Sequence, residues 1–85
     1  SKLSDFKSPE ARKVFTEWQK RTKQHAADIR TLEQQRDAYA SANAAARQRM
    51  SAAILQLEAK VEADGIALEK MELEIRRLEQ EKLYK

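Results

Sequence analysis

Cysteine is absent from this chain, which excludes a disulfide framework, a thiol nucleophile and a thiolate metal site. Proline and glycine occur once each, as Pro9 and Gly65, so the backbone has almost none of the punctuation that cuts a chain into strands and turns. Aromatic residues make up only 6% of 85 residues, and a chain this short forms one small domain at most. No apolar run approaches the roughly 20 residues that would cross a bilayer, and no signal-like hydrophobic segment is present. Ser1 stands where an initiator methionine would, the expected mark of a processed chain or of a piece of a longer one.

Chemistry-bearing motifs are equally scarce. The lone histidine, His25, has Lys20, Arg21, Asp28 and Ile29 as its helical neighbours, at most one carboxylate where a metal or a general base needs converging partners. Glu69, Glu72 and Glu79 recur at helical spacing with Lys70, Arg76 and Lys82, which reads as solvated surface pairing; paired-carboxylate catalysis needs a pocket. There is no phosphate-cradling glycine loop, metal-binding His pair or nucleophile elbow. The expectation is a protein that is not an enzyme, with no cofactor, metal or catalytic residue.

What is present is a stripe. Ala, Glu, Lys, Leu, Arg and Gln dominate the 36% charged, 41% hydrophobic composition, and these residues lose little freedom in a helix. Apolar residues return every three or four positions: Phe15, Trp18, Ile29, Leu32, Tyr39, Met50, Ile54, Leu57, Val61, Leu68, Met71, Ile75 and Leu78. A stripe that narrow must be covered by another helix, so these thirteen residues are the expected self-association surface. With Asn43 at position a, the register is heptad on both sides of a stutter at Ala46, Met50 and Ile54, where two four-residue steps should locally relax a left-handed supercoil.

Ser8-Pro9-Glu10 is a helix start: a capping hydroxyl, a residue with no N–H to leave unpaired, and a carboxylate at the positive helix end. Residues 1–8 read as an irregular lead-in and 9–85 as a single coiled-coil region. The fold class is all-α, with a long helix from about residue 9 to 84, uninterrupted through Asp64-Gly65. The alternative is a two-helix antiparallel hairpin bending near residues 41–49. The Ala-rich run from Ala38 to Ala46 and the missing turn glycine favour the single helix.

Charge gives the orientation. Residues 1–30 hold eight Lys/Arg against four Asp/Glu, residues 31–57 three against two, and residues 58–85 six against eight. That gradient favours antiparallel pairing. A parallel pair would also set Glu74 against Glu79 of its neighbour. Antiparallel register brings Phe15 to Leu78, Trp18 to Ile75, Leu32 to Val61, Tyr39 to Ile54, Ala26 to Gly65 and Arg21 near Glu74.

Leu55, Ile66 and Leu73 fall on the face that should be wet, and are the expected contact for a further partner. The leading expectation is therefore a structural or assembly module that self-associates as a dimer or tetramer. The alternative is an adaptor or chaperone-like helical protein, of the secretion or cell-envelope type, binding another helical protein through the Ile66/Leu73 face. The basic arm of Lys7, Arg12, Lys13, Lys20, Arg21 and Lys23 is interrupted by Glu10 and Glu17, and its aromatics lie on the seam. Nucleic-acid or anionic-membrane contact is the minor alternative.

Overall fold

The capping residues act as their chemistry requires. In the computed structural model, which describes residues 5–84, the first helix begins at Pro9. The Ala11 N–H donates to the Ser8 hydroxyl at 3.2 Å, closing one of the free amides of the first turn, and the Arg12 N–H donates to the Ser8 carbonyl at 3.1 Å in the first regular bond of the helix. The Ser8 hydroxyl in turn donates to Glu10 at 3.0 Å. Helix α1 runs Pro9–Ala40 and α2 runs Ala44–Tyr84. Residues 1–4 of the expected lead-in and Lys85 lie outside the described residues. Asp64 and Gly65 are helical, as expected.

The uninterrupted helix does not form; the hairpin alternative does. The chain bends at residues 41–43, at the start of the interval expected for a bend. The cause is local hydrogen bonding that the alanine run concealed. Asn43 Oδ1 accepts the Ala46 N–H at 2.9 Å and the Asn43 carbonyl accepts the Arg47 N–H at 2.9 Å, which together start α2. Arg47 then reaches back to the end of α1, donating from Nε to the Tyr39 carbonyl at 3.0 Å and from Nη2 to the Ala40 carbonyl at 2.9 Å. Its guanidinium sits 5.1 Å from the centre of the Tyr39 ring, close enough for cation–π attraction. Orphaned carbonyls at a helix end are met by a cation in this way. No described residue has a positive φ, so the turn needs no glycine. That is why the usual signal was missing.

The described residues divide into two units, one comprising the chain up to Lys23 with Ile66 onward, the other Gln24–Gly65. The first pairs the opening turns of α1 with the closing turns of α2 in opposite directions. Ala11, Phe15 and Ile75 form its buried centre, with Phe6, Val14, Trp18 and Leu78 packed around them. Phe15 lies between two rings, 4.8 Å from Phe6 and 5.6 Å from Trp18 by centroid, distances at which aromatic pairs attract. This is the Phe15–Leu78 and Trp18–Ile75 neighbourhood expected from the antiparallel register.

Two buried side-chain groups among the described residues of this unit have no partner. Thr22 Oγ1 is out of contact with solvent and without a hydrogen bond, as is Trp18 Nε1 one turn earlier. A hydroxyl in that condition is destabilising, and an apolar group of the same shape is not. Thr22→Val is therefore expected to stabilise the protein by about 1 kcal/mol, seen as a higher midpoint in urea with the slope unchanged. A lower midpoint would mean that the hydroxyl is satisfied in solution.

The second unit is the antiparallel hairpin proper, α1 from Gln24 and α2 up to Gly65 around the bend. Leu32 is its most enclosed apolar residue, 5% exposed. Gly65 faces the His25 side chain of α1, with room for a methyl group at ordinary van der Waals distance. A Cβ there would stand 3.6 Å from His25 Nε2, and that nitrogen lies 2.9 Å from the Val61 carbonyl. Since a carbonyl only accepts, the ring nitrogen carries the proton in this contact. His25, not Ala26, is what faces Gly65.

Candidate protein-contact surfaces

The first candidate surface lies on α2 within the terminal unit. Helical rotation places residues seven apart almost in line, so Leu68 and Ile75 share one face while Ile66 and Leu73 share another. The structure buries the first pair, at 9% and 7% exposure, and leaves the second pair 49% and 61% exposed. Leu83 and Tyr84 are also exposed at the end of the helix. Arg77, on the next turn, is held by Glu74 and Glu81 of its own helix. The Glu74 carboxylate is pulled below its ordinary pKa by that guanidinium, chiefly by hydrogen bonding. The expected cross-helix pairing of Arg21 with Glu74 is absent, because Arg21 turns instead to Glu17 at 3.1 Å. Neighbours on the same helix are nearer and demand less side-chain ordering.

The terminal unit contains a fastening that periodicity did not reveal. The Glu79 carboxylate accepts the Lys7 N–H at 2.8 Å and the Ser8 N–H at 3.2 Å, so a residue expected to be a solvated helix-surface acid instead ties down the lead-in. Arg12 Nε completes the clasp by donating to the Phe6 carbonyl at 2.8 Å. Glu10 stays below its ordinary pKa, held first by its backbone hydrogen bond at the helix start and then by the Ser8 hydroxyl. With Arg21 paired to Glu17, the basic arm offers less free charge than its composition implies.

The second candidate surface lies in the Gln24–Gly65 unit. Tyr39, Ile54 and Leu55 line a groove of about 410 Å³ with Ser51, Arg36 and Glu58 at its edges. A recess of about 390 Å³, sharing Arg36 and Glu58, is lined by Ile29, Leu32, Val61, Glu33 and Glu62. The Arg36–Glu58 ion pair, 2.6 Å long, spans the two helices there. Arg36, one turn from Leu32 on α1, thereby sends its charged head to a carboxylate of α2. Lys60 joins Asp28 and Asp64 at 2.6 Å and 2.7 Å. Those contacts raise the lysine pKa, and hydrogen bonding to Lys60 and Gln24 lowers that of Asp28.

The residues of the expected self-association stripe are placed unevenly. Phe15, Leu32, Leu68 and Ile75 are buried; Trp18, Ile29, Met50, Ile54, Leu57, Val61, Met71 and Leu78 are half-buried; Tyr39 is exposed. Of the expected partner face, Leu55, Ile66 and Leu73 are all exposed. Leu55 belongs to the hairpin unit and the other two to the terminal unit. The residues missed were Glu79 and Arg47. Each acts on backbone groups at a helix end, and the only sequence hint was a charged side chain within reach of an unpaired terminus.

Among the described residues no group of His, Asp and Glu converges as a metal site, and no helix is long and apolar enough to cross a membrane. No family model matches the chain, and neither a curated protein nor a solved structure resembles it closely enough to count as a match.

Proposed function

We propose that this chain is a non-enzymatic helical module that binds another protein through the Ile66/Leu73 face, as an adaptor or a chaperone-like component. The observation that carries this reading is the contrast along α2 of the terminal unit. Leu68 and Ile75 already have their cover, while Ile66 and Leu73, two turns apart, stand 49% and 61% exposed. Removing a large aliphatic side chain from water contributes about 1.5–3 kcal/mol, so the two aligned residues serve as anchors of a wider contact that must also offset the cost of association. A partner of helical form would read them as seven-residue anchors in a groove of its own.

Leu73→Lys tests this directly. The variant is expected to keep its helical circular dichroism, because the position is exposed, and to lose the stoichiometric partner that the wild-type chain captures. Capture undiminished in the variant would remove this face from the proposal.

Self-association is the second reading, favoured by the half-buried state of Met50, Ile54, Leu57, Val61 and Met71. In it, the heptad seam with its stutter would draw a second copy over what one pair of helices leaves uncovered. Light scattering across a wide concentration range separates the readings, since a constant single-chain mass ends the second.

A further inference from the structure

We propose that the groove along one flank of the Gln24–Gly65 unit holds an amphipathic helix from another protein, one whose apolar stripe is bordered by Lys and Arg. This is a surface separate from the Ile66/Leu73 face and does not depend on it. A pair of helices leaves a lengthwise depression on each side of its contact, and a third helix fills one in a bundle. Here two apolar recesses, of about 410 and 390 Å³, adjoin across the shared Arg36–Glu58 pair. Their floor is apolar, and two residues on the groove are wetter than their size warrants: Leu55 at 65% and Tyr39 at 36% exposure.

Charge selects the occupant. Glu33, Glu58 and Glu62 border the recesses against a single cation, Arg36. Arg36 neutralises only Glu58, and neither Glu33 nor Glu62 enters any ion pair among the described residues. The other flank differs, because Lys60 already bridges Asp28 and Asp64 there; Glu33 lies five residues beyond Asp28, roughly 140° further round α1. A helix seated in the groove must therefore supply aliphatic side chains for the floor and cations for the two unmatched carboxylates. A second copy is a poorer match. Its cationic segment around Lys13, Lys20 and Lys23 turns Phe15 and Trp18 inward, and its exposed Ile66/Leu73 stripe has Glu62 and Glu69 beside it as well as Lys70 and Arg76, a mixed border and not a cationic one.

The test uses the full chain and two synthetic helical peptides with the same Leu stripe, one bordered by Lys and the other by Glu, with binding read by fluorescence anisotropy. The Lys-bordered peptide is expected to bind at least about tenfold more tightly than the Glu-bordered one. Leu55→Lys should weaken it by about tenfold without loss of helicity, and the double variant Glu33→Lys/Glu62→Lys should reverse the preference between peptides. Equal affinity for both peptides, no binding of either, or indifference to both variants would overturn the inference. So would a wild-type dimer that Leu55→Lys converts to monomer, which would assign the groove to a second copy. Loss of partner capture in Leu73→Lys is read separately, so either proposal can fail alone.

Discussion

Phe15→Ala is expected to destabilise the protein by about 3–5 kcal/mol, the largest effect of any single substitution considered. Phe15 is 7% exposed and is flanked by the rings of Phe6 and Trp18, with Ala11 and Ile75 beneath. Removing its ring takes away the transfer energy and leaves a cavity that neighbours on two helices cannot collapse into. A chain of 85 residues has roughly 4–13 kcal/mol of total stability at the usual 0.05–0.15 per residue, so the loss is a large share of the whole. Urea denaturation followed by circular dichroism measures it. The exposed Leu55, changed to Ala, serves as the control and should stay within about 0.5 kcal/mol. If the Phe15 variant fell in that range too, the packing around Ala11, Phe15 and Ile75 would not be the centre of the terminal unit.

The second large effect concerns connectivity. Ser41→Ala/Asn43→Ala is expected to convert a single-chain hairpin into an exchanged dimer of straight helices, in a proportion that grows with concentration. Asn43 caps α2 through Oδ1, and loss of such a cap costs about 0.5–2 kcal/mol. Ser41 Oγ bonds the Asp37 carbonyl at 3.3 Å. With both side chains gone, the strong helix propensity of the run from Ala38 to Ala46 is opposed in the turn chiefly by the reach of Arg47 back to Tyr39 and Ala40. The pairs that hold the hairpin can then form equally between two copies, which is the condition for domain exchange. Light scattering should show one-chain mass for the wild type and rising mass for the variant. A variant that stays monomeric at every concentration would show that the packing of the helices, and not the hydrogen bonds of the turn, dictates the bend.

These two results bear on what could be read from residues alone. Helix content, the start at Pro9, the antiparallel sense and the company of Phe15, Trp18, Ile75 and Leu78 were all legible, because periodicity and capping chemistry are local properties written in side-chain type. The bend was not. Asn43 lies among alanines that propagate a helix well, and its cap is joined by Arg47 reaching back to Tyr39 and Ala40, a contact between two helices that periodicity cannot see. The exposure of Leu55, Ile66 and Leu73 was legible residue by residue, since burial follows the helical wheel, though Leu55 belongs to a different unit from the other two. The groove bordered by Glu33 and Glu62 was not, because a groove exists only once two helices are side by side. Tyr39 shows the same limit. Its spacing put it on the seam, yet Arg47 draws the end of α1 into the turn and leaves the ring 36% exposed.

The grip of Glu79 on the amides of Lys7 and Ser8 joins residues about seventy positions apart. A growing polypeptide therefore has every residue of the Gln24–Gly65 unit in hand before Glu79 can close on the lead-in. The lead-in and the closing turns of α2 are bolted to one another there, so a substitution that removes the Glu79 carboxylate also frees the backbone of Lys7 and Ser8.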